Sequence, residues 1–180
     1  MLKELSEEFR KFGKYVVQQS RTNLTKGGDN VSKQLYNSIK YELTSRNDVY
    51  NLSLIMEEYG MFLDKGVRGA NPSLVKNGKQ KGGNSPYSYK SKMPPMADIR
   101  MWAKMRNIRL RDEKGRFKKG NYTTIAFILQ KRIFAQGIRP TMFFTKPFQR
   151  ALKIYVPLLQ DAYAEDIEQI IEDNIKTAKN

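Results

Sequence analysis

Apolar residues at three- and four-residue steps open the chain: Leu2, Leu5, Phe9, Phe12, Val16 and Val17, with Glu4, Glu7, Glu8, Arg10, Lys11 and Lys14 between them. That period puts one apolar stripe on a helix and predicts α-helix to about Leu24, before TKGGDN ends it. The stripe reads as core. A short helix over NVSKQLYNSI follows, and then the period changes to two. Ile39, Tyr41 and Leu43 alternate with Lys40 and Glu42, and Tyr50, Leu52, Leu54 and Met56 alternate along VYNLSLIMEEYG. With the turn residues of SRND between them, the two runs predict an antiparallel hairpin.

Beyond the hairpin, YGMFLDKGVRGANP is aromatic and glycine-rich, and periodicity then disappears. From 71 to 95 the chain is Gly, Lys, Ser, Asn and Pro with Tyr87 and Tyr89 interleaved. This is an extended basic loop, of a length that in a compact domain is functional or disordered. PMADIRMWAKMRNIRL restores a helical period, with Pro95 near its start, Asp98 in the first turn and Ile99, Trp102 and Met105 on one side. RDEKGRFKKGNY is a charged turn or short hairpin. YTTIAFILQKRIFAQG is a further helix, with Ile125, Ile128, Leu129, Ile133 and Phe134 apolar and Gly137 placed for a left-handed cap. The last stretch is helical with an interruption or kink expected at Pro157. Its 157–180 half is acidic and amphipathic, with Leu158, Leu159, Ala162, Ile167, Ile170, Ile171 and Ile175 apolar. These elements predict a single α+β domain over 1–180. An antiparallel sheet of about four strands is packed by the N-terminal and later helices.

Charge changes the picture. The formal net charge is +15, and it is not spread evenly. Sixteen Lys/Arg against three acids (Asp98, Asp112, Glu113) lie between Lys65 and Lys119, whereas six acids and two lysines follow Pro157. A basic middle with an acidic tail points to nucleic acid or an oppositely charged surface, another copy of the chain included. The alternative is that the lysines keep long loops solvated. No apolar run is long enough for a membrane span, and the mixed-charge N-terminus does not read as a secretory signal, so synthesis in the cytoplasm and no membrane partner are expected.

The 180 residues contain no cysteine and no histidine. Thiolate zinc sites, disulfides and cysteine nucleophiles are thereby excluded, and the commonest general base is missing. No GxxxxGK[ST] loop is present, and the acids are mostly spread along helices beside lysines. An enzyme using Asp64, Glu57 and Glu58 with Lys65 is a poor reading, because adjacent Glu57 and Glu58 on a strand point to opposite faces. No cofactor, metal or catalytic residue is expected.

One corner concentrates aromatic and proline residues: QKRIFAQGIRPTMFFTKPFQRAL, where Gly137 ends a helix, Pro140 and Pro147 restrict the chain and Phe143, Phe144 and Phe148 supply large apolar groups. Taken in order, SKQLYNSIKYEL, EEYGMFLDKGVRG, IRMWAKMRNI and this corner resemble the neck, head–tail joining and tail-completion proteins of tailed bacteriophages, a family of small ring-forming virion proteins. The resemblance spans roughly residues 1 to 175. It matches the family's tyrosine-glycine strand and acidic-x-Gly turn to Tyr59-Gly60 and Asp64-Lys65-Gly66. Its glycine-ended helix and Pro-Phe helix start fall on Gly137, Pro147, Phe148, Ala151 and Leu152. The 71–95 insertion is longer than the family's minimal pattern.

The resemblance implies a structural virion protein of the neck or tail, assembled in the host bacterial cytoplasm. Its partners would be itself, as a homo-oligomeric ring, and the portal or adaptor and tail proteins, with DNA passing through the lumen. A ring contact is heterologous, one patch meeting a different patch. Candidate subunit-interface residues are Tyr59, Phe62, Arg68, Tyr87, Tyr89, Phe143, Phe144 and Phe148; the phenylalanines of the corner serve equally as the protomer's own core. Lys76, Lys79, Lys81, Lys90 and Lys92 are the candidate set facing DNA or an acidic partner. A second class of reading remains: a nucleic-acid-binding module in which these lysines hold phosphates and Tyr87 and Tyr89 stack on bases.

Overall fold

The computed structural model of the chain describes residues 2–28, 32–46, 49–76, 78–117 and 120–178. The N-terminal stripe folds as α1 (Lys3–Gly27), one turn longer than its apolar pattern predicts, and buries Leu5, Phe12, Val16 and Leu24. Then come α2 (Gln34–Ser38), β1 (Lys40–Arg46), β2 (Val49–Ile55), α3 (Tyr59–Lys65), β3 (Val67–Arg68), a 3-10 turn at Pro72–Leu74, α4 (Met96–Met105), α5 (Tyr122–Gln136), β4 (Gly137–Ile138) and α6 (Thr145–Ala178). The mixture of helix and antiparallel strand agrees with an α+β class. The sheet does not. Among the described residues the strands form two separate two-stranded ribbons, β1–β2 and β3–β4, in place of one sheet of about four. The reason lies in length: β3 and β4 are two residues each, too short to extend the hairpin.

The chain gathers into two compact units, Met1–Lys26 with Tyr36–Met56 and Phe143–Asn180, and Gly27–Leu35 with Glu57–Met142. In the first unit the hairpin has the expected register, with Tyr41 opposite Leu54 and Leu43 opposite Leu52. Its turn residues Asn47 and Asp48 lie outside the described residues. The apolar face of the hairpin is half-buried, with Leu52 and Leu54 packing on Phe12, Val16 and Ala151. Phe144, Phe148, Tyr15 and Tyr155 close the same cluster, with edge-on contacts from Phe12 to Phe148 at 6.0 Å and to Tyr155 at 5.8 Å. Fully burying a Val or Phe side chain contributes about 1.5–3 kcal/mol, so Val16 and Phe12 together stabilise the unit by about 3–6 kcal/mol.

α6 runs through Pro157 as one helix, where the sequence predicts an interruption or kink. A proline removes one backbone donor and crowds the preceding turn, and packing on α1 through Ala151 and Tyr155 outweighs that cost. Further along, Asp166 is buried and its carboxylate accepts the N–H groups of Lys3, Glu4 and Leu5 at 3.0, 3.1 and 2.9 Å. The first turn of α1 has no capping side chain in its own sequence, and Asp166 satisfies those orphan donors from the far end of the chain.

The second unit holds α3, α4, α5 and the β3–β4 ribbon. The resemblance matches Tyr59-Gly60 to a strand; these residues start helix α3 instead. α4 buries Ile99 and Ala103, while Trp102 and Met105, which share one side with Ile99 in the sequence pattern, are exposed. α5 buries Ile125, Ala126, Ala135 and Gln136 and leaves Ile128 exposed. Asn121 caps its start by accepting from the N–H of Thr123 at 3.0 Å. The charged RDEKGRFKKGNY stretch does close as a small hairpin, with Arg111 bridged to Phe117 and the Asp112 N–H donating to Arg116 O at 2.8 Å. Its Lys118 and Lys119 lie outside the described residues.

Candidate functional site

Two helices of the second unit end the same way. α3 ends at Gly66 (φ 74°, ψ −177°), which leads directly into β3, and α5 ends at Gly137 (φ 84°, ψ −171°), which is itself the first residue of β4. Positive φ with ψ near 180° is open to glycine alone. Gly137 therefore does end its helix, through an extended mirror conformation in place of the left-handed cap that its position suggests. β3 and β4 then pair, Val67 opposite Ile138 and Arg68 opposite Gly137. After β4 the chain caps α3: Thr141 N–H donates to Leu63 O at 3.1 Å and Met142 N–H to Asp64 O at 3.0 Å.

The basic loop is strapped to this ribbon. Arg68 donates its N–H to Tyr87 O at 2.8 Å and accepts from the Tyr89 N–H at 2.9 Å, so 87–89 lies alongside β3. Gln80 holds the Gly69 backbone from both sides, at 2.6 and 3.1 Å, and Lys81 N–H donates to Gln136 O at 2.9 Å. Ser85 is buried and its hydroxyl donates to Gly66 O at 2.6 Å. Further on, the Gln130 amide donates to Pro94 O at 2.7 Å. Arg68, named from sequence as an interface residue, thus contributes through its backbone by fixing the extended segment, while its side chain is exposed.

Alternate residues of an extended segment face the same way, so the strap presents Tyr87 and Tyr89 together. They join Tyr59, Phe62, Val67, Ile138, Met93, Pro94, Pro95 and Trp102 around an open cleft of about 900 Å³. Phe62 meets Tyr87 edge-on at 4.7 Å, and Tyr89 leans on Phe134 at 6.0 Å. Burial pushes the Tyr89 phenol above its usual value. The Tyr59 phenol is raised as well, by burial first and the charge of Glu57, against hydrogen bonding at Leu35 and Ser32. Lys90 and Lys92 stand in the cleft wall. Phe62, Tyr59 and Trp102 keep 42%, 42% and 40% of their surface open, which is high for large apolar groups gathered on one patch.

Four of the predicted interface residues, Tyr59, Phe62, Tyr87 and Tyr89, are therefore brought together. Phe143, Phe144 and Phe148 are not. Phe143 is 2% exposed, and the other two belong to the core of the first unit. Of the predicted cations, Lys90 and Lys92 line the cleft; Lys76, Lys79 and Lys81 are exposed elsewhere on the loop. The Lys81 ammonium is held below its usual value by burial and by Arg132 and Arg139. Trp102 and Met93 escape the sequence reading, the first because its helical position groups it with Ile99, the second because KMPP looks like plain loop. The signal that points to them is the run of Tyr, Met and Pro ahead of a tryptophan on the next helix.

The first unit carries a smaller groove of about 630 Å³ between Lys14, Gln18, Arg21, Thr22, Lys26, Tyr36 and Tyr41. Arg21 lies over the Tyr36 ring at 5.0 Å and donates to Ile39 O at 2.9 Å. Among the described residues no three acids gather as a metal-holding group, and no helix is long and apolar enough to cross a membrane. No family model, curated protein or solved structure matches this chain.

Proposed function

We propose that the protein is a structural subunit of the neck or tail-completion region of a tailed bacteriophage, forming a ring that joins head and tail through protein–protein contacts. The reading rests on the resemblance in motif order and on one observation above the rest: the aromatic cleft in the second unit. Interface hot spots are enriched in Trp, Tyr and Arg and sit in apolar patches with a polar rim. Here Tyr59, Phe62, Tyr87 and Trp102 form the patch and Lys90 and Lys92 the rim. On this reading the protein makes and breaks no bond in a substrate, and its partners are its own copies together with portal or adaptor and tail proteins. Its place is the virion.

Light scattering and electron microscopy of the purified full chain test the proposal. Closed rings, free or formed on a tail or connector assembly, support it. A chain that never associates with itself or with such an assembly at any concentration overturns it.

A second reading keeps its footing on the same cleft. Lys90 and Lys92 beside Tyr87, Tyr89 and Trp102 are the parts of a single-strand platform, in which bases stack on rings and lysines meet phosphates. Sub-micromolar binding to single-stranded DNA at physiological salt, falling steeply as salt rises and lost in K90E/K92E, favours this reading.

A further inference from the structure

The second unit leaves an apolar cleft open between lysines, and α6 leaves an apolar face open between acids. Along α6 the acids Asp161, Glu165, Glu168 and Glu172 recur at steps of four, three and four, which places them in one stripe about 60° wide at 3.6 residues per turn. All four are exposed. Ile171 and Ile175 border that stripe and keep 54% and 50% of their surface open. The face of α6 that its own unit uses is a different one, marked by Ala162 and Asp166, both buried. Glu172 pairs with the exposed Lys176 at 3.3 Å, a contact that is cheap to exchange.

We infer that the cleft of the second unit receives this face of α6 from another copy of the chain, with Ile171 and Ile175 against the Phe62, Tyr87 and Trp102 rings and Glu168 and Glu172 toward Lys90 and Lys92. The inference rests on the ring reading and names the two surfaces that would build it. Charge selects the occupant. Residues 65–119 hold sixteen Lys/Arg against three acids, and the complementary acidic surface lies on the same chain after Pro157. Two α6 helices meeting each other would set acid against acid. A nucleic acid offers phosphates to Lys90 and Lys92 and bases to the rings, but no aliphatic side chains for Val67 and Ile138 such as Ile171 and Ile175 supply. A patch that fits a different patch on an identical copy makes a heterologous contact, which propagates from subunit to subunit and gives a ring when the rotation between copies closes.

Because the chain has no cysteine, introduced cysteines report the pairing directly. Full chains carrying K92C and E168C are mixed and oxidised, with K11C on exposed α1 as the control in place of E168C. The expected product is a cross-linked pair containing one of each chain, formed at least tenfold faster than with K11C. Charge reversal in K90E/K92E is expected to raise the concentration needed for self-association about tenfold, and E168K/E172K on the same chain to restore it. Assembly seen by light scattering without preferential K92C–E168C cross-linking, or without charge-swap rescue, overturns this pairing and leaves the ring reading standing. A K92C/E168C disulfide that forms only within one chain, unaffected by dilution, overturns the pairing too. A chain that stays monomeric at every concentration and gives no cross-link overturns both.

Discussion

The backbone N–H of Leu5 donates to the Asp166 carboxylate at 2.9 Å, across 161 residues of sequence. Lys3 and Glu4 donate to the same side chain. A cap of this kind contributes about 1–2 kcal/mol. Asp166→Ala is therefore expected to lower the melting temperature by about 2–8 °C, at the 2–4 °C per kcal/mol usual for a chain of this size. Amide exchange at Lys3 to Leu5 should accelerate at the same time. Asp166→Asn keeps an acceptor without the charge and should lose less. Unchanged exchange in Asp166→Ala would remove the cap from the account of α1.

Gly66 and Gly137 make a second pair. Adding a methyl group at Gly137 forces a non-glycine residue to positive φ and drives its Cβ into the Val67 carbonyl; at Gly66 the Cβ would stand 2.6 Å from Ile138 O. Strain of this type costs about 1–3 kcal/mol. Gly137→Ala should destabilise the protein by that amount in urea or thermal unfolding. Gly83→Ala is the control, since a Cβ there meets nothing within 4 Å, and it should be near neutral.

Phenylalanines separate core from contact. Phe143→Ala removes a fully buried ring and should cost about 3–5 kcal/mol. Phe62→Ala removes a ring that is 42% exposed and meets Tyr87 edge-on, so its stability cost should stay near 1 kcal/mol. If the cleft is the contact surface, Phe62→Ala weakens self-association by at least tenfold while the far-UV spectrum is retained. Equal self-association of Phe62→Ala and the unaltered chain, measured by light scattering, counts against the cleft.

Alkaline pH acts on the strap. The folded Tyr89 phenol holds its proton to higher pH than the unfolded chain, whose value is the usual 10. Its contribution is therefore intact below pH 10 and is lost as pH rises beyond it. Tyr89→Phe should flatten that alkaline loss of stability and remove a late-ionising tyrosine from the absorbance titration. Lys81 works with the opposite sign. Its depressed ammonium disfavours the folded state while charged, and stability recovers as pH rises through its lowered value toward the unfolded 10.5. At pH 8.5 it should also acylate faster than an ordinary lysine, and Arg132→Gln should slow it.

Local patterns carried the hairpin and the helices because each depends on near neighbours. Tyr41 and Leu43 oppose Leu54 and Leu52 because a period of two on both strands leaves that register as the one that puts both apolar sets on one face. Among the described residues α1, α2, α5 and α6 start and stop within about a turn of their sequence signals, whereas α4 ends at Met105, short of the Leu110 its pattern reaches. α3 forms where the resemblance matches a strand, and α6 is continuous through Pro157, where an interruption or kink is expected. In α6 the packing of Ala151 and Tyr155 on α1 outweighed the local preference of the proline. Trp102 shows the same limit: its helical spacing puts it on one side with Ile99, yet the core takes Ile99 and Ala103 and leaves the indole in the cleft.

What the chain's order of residues determined alone was the placement of charge, the absence of thiol and imidazole chemistry, and the local elements, since all of these are set by composition and by contacts within about a turn. The tertiary structure decided which distant groups meet. It took the lysine-rich strap, featureless in sequence, and fixed it to β3 by backbone hydrogen bonds that carry no side-chain signature. It buried Phe143 and packed Phe148 into a core while gathering Tyr59, Phe62 and Tyr87 at an open surface. It gave α1 a cap from a residue near the opposite end. Backbone donors accept any partner of the right geometry, so no local pattern could have named Asp166.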